Sequence, residues 1–114
     1  MIHILTEEKF KLISNNNGKL TTNTPTVIDF YAQWCQPCKI SAPIVEELSE
    51  KYSDVTFYKV DVDQESNLAQ LFNVRSIPTF IFINSSGESF SVIGWSGQDK
   101  FIEYIDKNKK TIEE

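Results

Sequence analysis

At 114 residues, with 40% hydrophobic and 24% charged side chains, the chain has the length and composition of one soluble globular domain that buries its core without staples or metals. The net charge of −5 argues against a nucleic-acid binder, which needs a surplus of Lys and Arg, and no apolar run approaches the ~20 residues of a membrane span. The amino end, MIHILTEEKF, lacks the basic flank and apolar core of a secretory signal. A cytoplasmic protein is expected, with the periplasm as the alternative if a signal peptide has been trimmed.

Ile2–Leu5 is a short apolar run that reads as a strand. Thr6 is placed to cap a helix whose first turn carries Glu7 and Glu8, with Phe10 and Ile13 on one face. Ser14–Pro25 is polar, holds Gly18 and Pro25, and reads as a loop. Val27–Ala32 is nearly all apolar and reads as a strand buried on both faces. From Cys38 to Tyr52, Ile40, Ile44, Val45, Leu48 and Tyr52 recur at helical spacing opposite Glu46, Glu47, Glu50 and Lys51. Pro43 within that pattern predicts a kink.

Val55–Val62 reads as a further strand, and Ser66–Phe72 as a short helix with Leu68, Leu71 and Phe72 inward. Thr79–Ile83, the turn Asn84–Gly87 and Glu88–Ile93 form a hairpin. Ser96 is expected to cap a last helix with Phe101, Tyr104 and Ile105 inside, and the tail over residues 107–114 is expected to fray. The order β-α-β-α-β-α-β-β-α implies a mixed sheet, parallel where helices intervene and antiparallel at the hairpin, with helices on both faces. One α/β domain over residues 1–114, its core spanning about residues 2–105, is the expected organisation.

Both cysteines lie in QWCQPCK, as Cys35 and Cys38. One such pair cannot close a zinc site within a chain whose only other soft ligand is the isolated His3. A bond across so short a loop removes little entropy from the unfolded chain, so a structural staple is also a poor explanation. Redox chemistry remains, as the motif beside a βαβ pattern suggests, against the plainer alternative of two buried structural thiols. Cys35 stands where a strand gives way to a helix, with Pro37 suited to the helix's first turn. Free N–H groups and the helix dipole there favour the thiolate, the nucleophile of thiol–disulfide exchange. Cys38, one turn further in, is expected to be more buried, protonated and the resolving thiol. Asp29 alternates with Val27 and Tyr31 on a strand covered on both sides, which predicts desolvation and a raised pKa. It would then accept the Cys38 proton, through a water. An aspartate near a strand end within easy reach of solvent is the bland alternative.

With WCxPC after VIDFYA, then KISAP and SIPTF, the chain closely resembles the thioredoxin family from about Ile2 to Ile105. The resemblance implies the mixed α/β fold, a central sheet of about five strands flanked by about four helices. It implies Cys35 as attacking and Cys38 as resolving cysteine, Asp29 as the buried aspartate and Lys59 as its lysine companion. Pro78 would be a cis-proline beside the cysteines, whereas the residues alone suggest a trans, strand-starting proline. Trp34, Ile77, Pro78 and Gly94 would form an apolar docking surface around the exposed sulfur, with the Ile77 backbone as a short edge for a substrate strand. The chain departs from the family at Gln36, where glycine is usual, and at Tyr31, where tryptophan is typical. Ser76 sits at a variable position, and Trp95 stands where a small residue is usual, either enlarging the docking surface or packing on the sheet edge. These departures put redox potential and partner choice in question.

The implied activity is protein disulfide reduction, with no bound metal or organic cofactor and with electrons from NADPH through a separate thioredoxin reductase. Oxidised protein substrates and that reductase are the implied partners, and a monomer is expected. Two alternatives stand beside it: an oxidase or isomerase of the same fold in an oxidising compartment, and a binding subunit whose redox pair is secondary. Pro37 favours the reductase; Gln36 leaves the potential open.

Overall fold

The computed structural model describes residues 1–15, 19–20 and 23–109. Its elements are β1 (Ile2–Ile4), α1 (Glu7–Ile13), β2 (Thr26–Tyr31), α2 (Gln36–Lys51), β3 (Thr56–Asp61), α3 (Ser66–Leu71), β4 (Thr79–Ile83), β5 (Ser89–Ile93) and α4 (Gln98–Lys109). They follow the order expected from hydrophobic periodicity. The five strands form one sheet in the order β1-β3-β2-β4-β5. β3 pairs in parallel with both β1 and β2, while β4 is antiparallel to β2 and β5 to β4.

Alternation along the strands divides the interior into two layers. Val27, Phe57, Phe80 and Phe82 point to one face, where they meet Val45 and Leu48 of α2 and Phe101 and Ile105 of α4. Ile28, Phe30, Val60, Ile81 and Ile83 point to the other, against Phe10 of α1 and Leu68 of α3. β2 lies in the middle, buried at Thr26 through Phe30. Its side chains therefore have no solvent-facing side.

Local chemistry sets the element ends. The Thr6 side chain caps α1 by accepting the Lys9 N–H, and Glu7 and Glu8 sit in the first turn. In the β4–β5 hairpin, Asn84 Oδ1 accepts the N–H groups of Ser86 and Glu88, and Gly87 supplies the positive φ of +93°.

Several expectations change. α2 begins at Gln36, two residues before the periodic pattern; it runs through Pro43, as expected, and ends at Lys51. Ile40 is exposed, because the buried stripe of α2 runs through Cys38, Ser41, Val45 and Leu48. Leu71 is likewise exposed, since α3 is too short to turn more than Leu68 fully inward. Gly97, not Ser96, precedes α4: its carbonyl accepts the Phe101 N–H at 3.1 Å, and its φ is +99°. Within the segment read as a loop, Ser14 and Leu20 form an isolated antiparallel bridge. Gly18, with the rest of residues 16–18 and 21–22, lies outside the described residues. Residues 107–109 belong to α4 rather than to a frayed tail, and residues 110–114 lie outside the described part.

Asn108 explains why α4 holds to that point. It is 3% exposed, and its Nδ2 donates to the carbonyls of Ile83 at 3.2 Å and Thr26 at 3.4 Å. It thus ties the helix to the ends of β4 and β2. Asn108→Ala should lower stability by about 1–3 kcal/mol, because two buried carbonyls lose their donor. The measurement is the urea midpoint at unchanged slope, and an unshifted midpoint would contradict this role.

Candidate active site

β2 ends at Tyr31, and the chain turns through residues 32–35 into α2, with the Cys35 N–H donating to the Ala32 carbonyl at 3.2 Å. Cys35 is the N-cap of α2. Its backbone is extended (φ −86°, ψ 115°), its carbonyl accepts the Lys39 N–H at 3.1 Å, and its Sγ accepts the Cys38 N–H at 3.3 Å. Pro37 occupies the first turn, where a missing N–H costs nothing. The sulfur therefore takes the place that a serine or aspartate oxygen holds at an ordinary cap.

Cys35 and Cys38 are joined as a disulfide, with Cα atoms 5.2 Å apart. Each is 4% exposed, so the expected deeper burial of Cys38 is absent from this oxidised form. Each sulfur covers the other, and Ala32, Tyr31, Val62 and Ile77 pack around the pair. What separates the two is their surroundings. Cys35 faces the helix N-terminus, whereas Cys38 lines a cavity of about 100 Å³ together with Asp29, Tyr31, Lys59 and Glu46.

Asp29 is 6% exposed and lies in register between Lys59 of β3 and Phe80 of β4. Its Oδ1 is buried with no hydrogen-bond partner. Burial pushes its pKa from 3.8 up to about 7, with the nearby Lys59 charge pulling the other way. Lys59 is half-buried, with its Nζ 5.9 Å from the centre of the Tyr31 ring. Tyr31 is itself held above its ordinary pKa, by burial first and then by Asp61 and Asp29. The cavity thus places a carboxylate that titrates near neutrality beside the second cysteine.

On the outer side, Trp34 is 68% exposed, and its Nε1 donates to Asp63 Oδ2 at 2.9 Å. The Asp63 N–H in turn donates to Asp61 Oδ1 at 2.9 Å. Gln36 and Pro37 are exposed beside it. The Ile77–Pro78 peptide bond is cis, as the family resemblance implied and the isolated sequence did not. Ile77 packs half-buried against the cysteines, but Pro78 is buried, so it supports this face from beneath. The Gly94 N–H donates to the Pro78 carbonyl at 2.8 Å, and Gly94 has the φ of +88° that favours glycine. Trp95 packs inward, 5.4 Å from Phe101 and 6.0 Å from Phe80 between ring centres. Of its two expected roles, the structure shows the packing one.

Sequence reading missed two features here. Asp63, which holds the Trp34 indole, was one acidic residue among several. The second is a groove of about 390 Å³ between Trp34 and Ile77, with Val62 and Val74 in its wall and Arg75 beside them. Val62 reads from the sequence only as the end of a strand, and Val74 carries no signal of its own. Among the described residues, no group of three or more His, Cys, Asp or Glu side chains is arranged to hold a metal.

The Asp29 pKa has a consequence for stability. Between 3.8 and about 7 the folded state holds a proton on Asp29 that the unfolded state has lost. Stability therefore falls as pH rises through that window, by about 4 kcal/mol in all at about 1.4 kcal/mol per pH unit. Asp29→Asn should remove this loss. The variant should be more stable than wild type by up to about 4 kcal/mol above the folded pKa, and the gap should close near 3.8. Urea unfolding across pH tests it, and a constant gap would refute the buried titration.

The thioredoxin family model matches residues 1–107. A thioredoxin of Borreliella burgdorferi is 42% identical over 103 residues, which cover 85% of this chain and 88% of that protein. A thioredoxin of Mycoplasmoides gallisepticum is 44% identical over 90 residues, 79% of this chain and 81% of its own length. Among solved structures, the thioredoxin NaTrxh of Nicotiana alata superposes with a TM-score of 0.81 at 33% identity, over 96% of this chain and 93% of its own. The thioredoxin of Malassezia sympodialis gives 0.78 at 32% identity, over 95% and 90%. With a cysteine pair at the N-terminus of α2 and this sheet behind it, the chain belongs to the thioredoxin family of thiol–disulfide oxidoreductases.

Proposed function

We propose that the protein reduces disulfides in oxidised protein substrates by two successive exchanges at Cys35 and Cys38. The observation that carries this reading is the contrast between the two cysteines. Cys35 caps α2 with an N–H donated to its sulfur, and Cys38 shares a cavity with the buried carboxylate of Asp29. In the reduced protein, the Cys35 thiolate attacks one sulfur of the substrate disulfide. The substrate S–S bond breaks, its other sulfur leaves as a thiolate, and a mixed disulfide remains on Cys35. Asp29 then accepts the Cys38 proton through water, and the Cys38 thiolate attacks the Cys35 sulfur. The second substrate sulfur leaves, two electrons have passed to the substrate, and the Cys35–Cys38 disulfide of this structure is the product.

Lys59 acts on this step through its charge, which limits how far burial raises Asp29. Trp34, Gln36 and Ile77 present the docking face, with Pro37, Pro78 and Gly94 setting its backbone. Trp95 serves as its inner anchor through Phe80 and Phe101. The cysteine pair carries the electrons itself, so the chain needs no bound cofactor. A thioredoxin reductase returns the pair to the dithiol with electrons from NADPH. The working form is a cytoplasmic monomer, and no helix of the described residues is long and apolar enough to cross a membrane.

Insulin reduction driven by dithiothreitol tests the exchange. Cys35→Ser should abolish it, and Cys38→Ser should stall with substrate bound to Cys35; full activity in Cys35→Ser would end the proposal. Asp29→Asn should slow resolution of the mixed disulfide by ~100-fold, the lower end of what a positioned base contributes. Gln36→Gly should shift the reduction potential or substrate preference modestly and leave turnover in place. Matching values for both would make Gln36 a neutral occupant of the motif.

A further inference from the structure

The cavity that joins Cys38 to Asp29 has a second carboxylate on its wall. Cys38, Ala42 and Glu46 all line it, and their i, i+4, i+8 spacing puts them on one stripe of α2. At about 1.5 Å per residue, this stripe extends roughly 12 Å along the helix from Cys38 to Glu46. Ala42, between them, is itself exposed, and its small side chain leaves the cavity open to solvent on this side. The opposite wall is Asp29, Tyr31 and Lys59. Asp29 is buried, whereas Glu46 is exposed, so the passage leads from interior to solvent.

We propose that this cavity is a proton passage and that Glu46 is its outer carboxylate, exchanging with solvent the proton that Asp29 takes from Cys38. The inference rests on Asp29 as proton acceptor and names the group that empties it. A volume of about 100 Å³ has room for water, which fills about 30 Å³ per molecule in the liquid. Asp29 Oδ1, buried with no protein partner, is the group that needs that water. Few lining groups can take a proton onward. Lys59 is a cation with donors only. Tyr31, pushed above its ordinary pKa by burial, Asp61 and Asp29, keeps its hydroxyl proton. Glu46 is the remaining carboxylate. The proton moves from Cys38 to water to Asp29, then by water to Glu46 and bulk, and both carboxylates end as they began. Glu46 acts through Asp29 and touches neither sulfur nor substrate.

The test follows single-turnover resolution. Reduced protein is mixed with a stoichiometric amount of a symmetrical nitrobenzoate disulfide, whose coloured thiolate leaves without needing a proton. The first release reports attack by Cys35; the second, first-order release reports attack by Cys38. At a pH below about 7, where Asp29 starts protonated and must be emptied before it can accept from Cys38, Glu46→Gln in dilute buffer should slow the second release about fivefold, small beside the ~100-fold of a direct base, and leave the first unchanged. Added formate should restore it, since a small acid replaces the missing relay. Ala42→Leu should slow the second release too, without rescue, because the passage itself is blocked. In an Asp29→Asn background, Glu46→Gln should cost nothing further. An unchanged second release in Glu46→Gln, or a loss that formate does not relieve, overturns the relay. If Asp29→Asn itself leaves the second release unchanged, the acceptor reading fails instead, which separates the two.

Discussion

Strand β2 is hydrogen-bonded to β3 along one edge and to β4 along the other, and helices cover both its faces. β4 is enclosed in the same way, but β2 is the central strand of the five and the one that runs directly into the turn bearing Cys35, so the active end depends on it. A strand held this way has no freedom to shift register, so the turn at its C-terminal end is fixed relative to the sheet. Cys35 inherits that position, and α2 starts from it. Into this strand the sequence puts one carboxylate, at a position that Phe80 and Lys59 flank in register. Val27, Ile28 and Phe30, buried on the same strand at roughly 1.5–3 kcal/mol each, offset the cost of holding Asp29 there.

The two faces of β2 do different work. Val27 and Asp29 point toward the layer of α2 and α4, whereas Ile28 and Phe30 point toward α1 and α3. The second layer is mostly apolar packing, with the buried hydroxyls of Thr26 and Thr79 bonded to the carbonyls of Thr24 and Ser76 on the same face. The first carries a phenylalanine cluster at one end and, toward the cysteines, opens into the polar cavity under α2. Phe82 stacks on Phe90 at 5.0 Å and meets Phe101 at 5.4 Å, which anchors α4 to the sheet. Firm packing at one end allows an imperfectly filled volume at the other.

Much of this was legible in the residues. Strand and helix periods differ enough that the element order could be read along the chain, and Asp29 stood out because a charge interrupts an apolar strand. Errors fell where periodicity has no grip. Ile40 and Leu71 are apolar and near the expected stripes, yet each lies at the edge of a helix face that its partner layer does not reach. The choice between Ser96 and Gly97 at α4 turned on backbone conformation, for which side-chain type is a weak guide. Equal burial of the two cysteines follows from the bond between them, a property of oxidation state. Asp63 could not be tied to Trp34 from the sequence, because 29 residues separate the two partners. The cis bond at Pro78 was legible only through the family pattern.

The Gly94–Pro78 hydrogen bond links the loop before β4 to the loop after β5, two segments that form the proposed docking face with the α2 turn. Such loops would ordinarily flex independently and have to be ordered by each arriving substrate. Bonded to each other at 2.8 Å, they are already ordered before contact. Preorganisation of this kind removes part of the entropy that association costs. For the docking role proposed above, loops tied together in this way would favour an extended segment that fits their backbone over one chosen by side-chain complementarity.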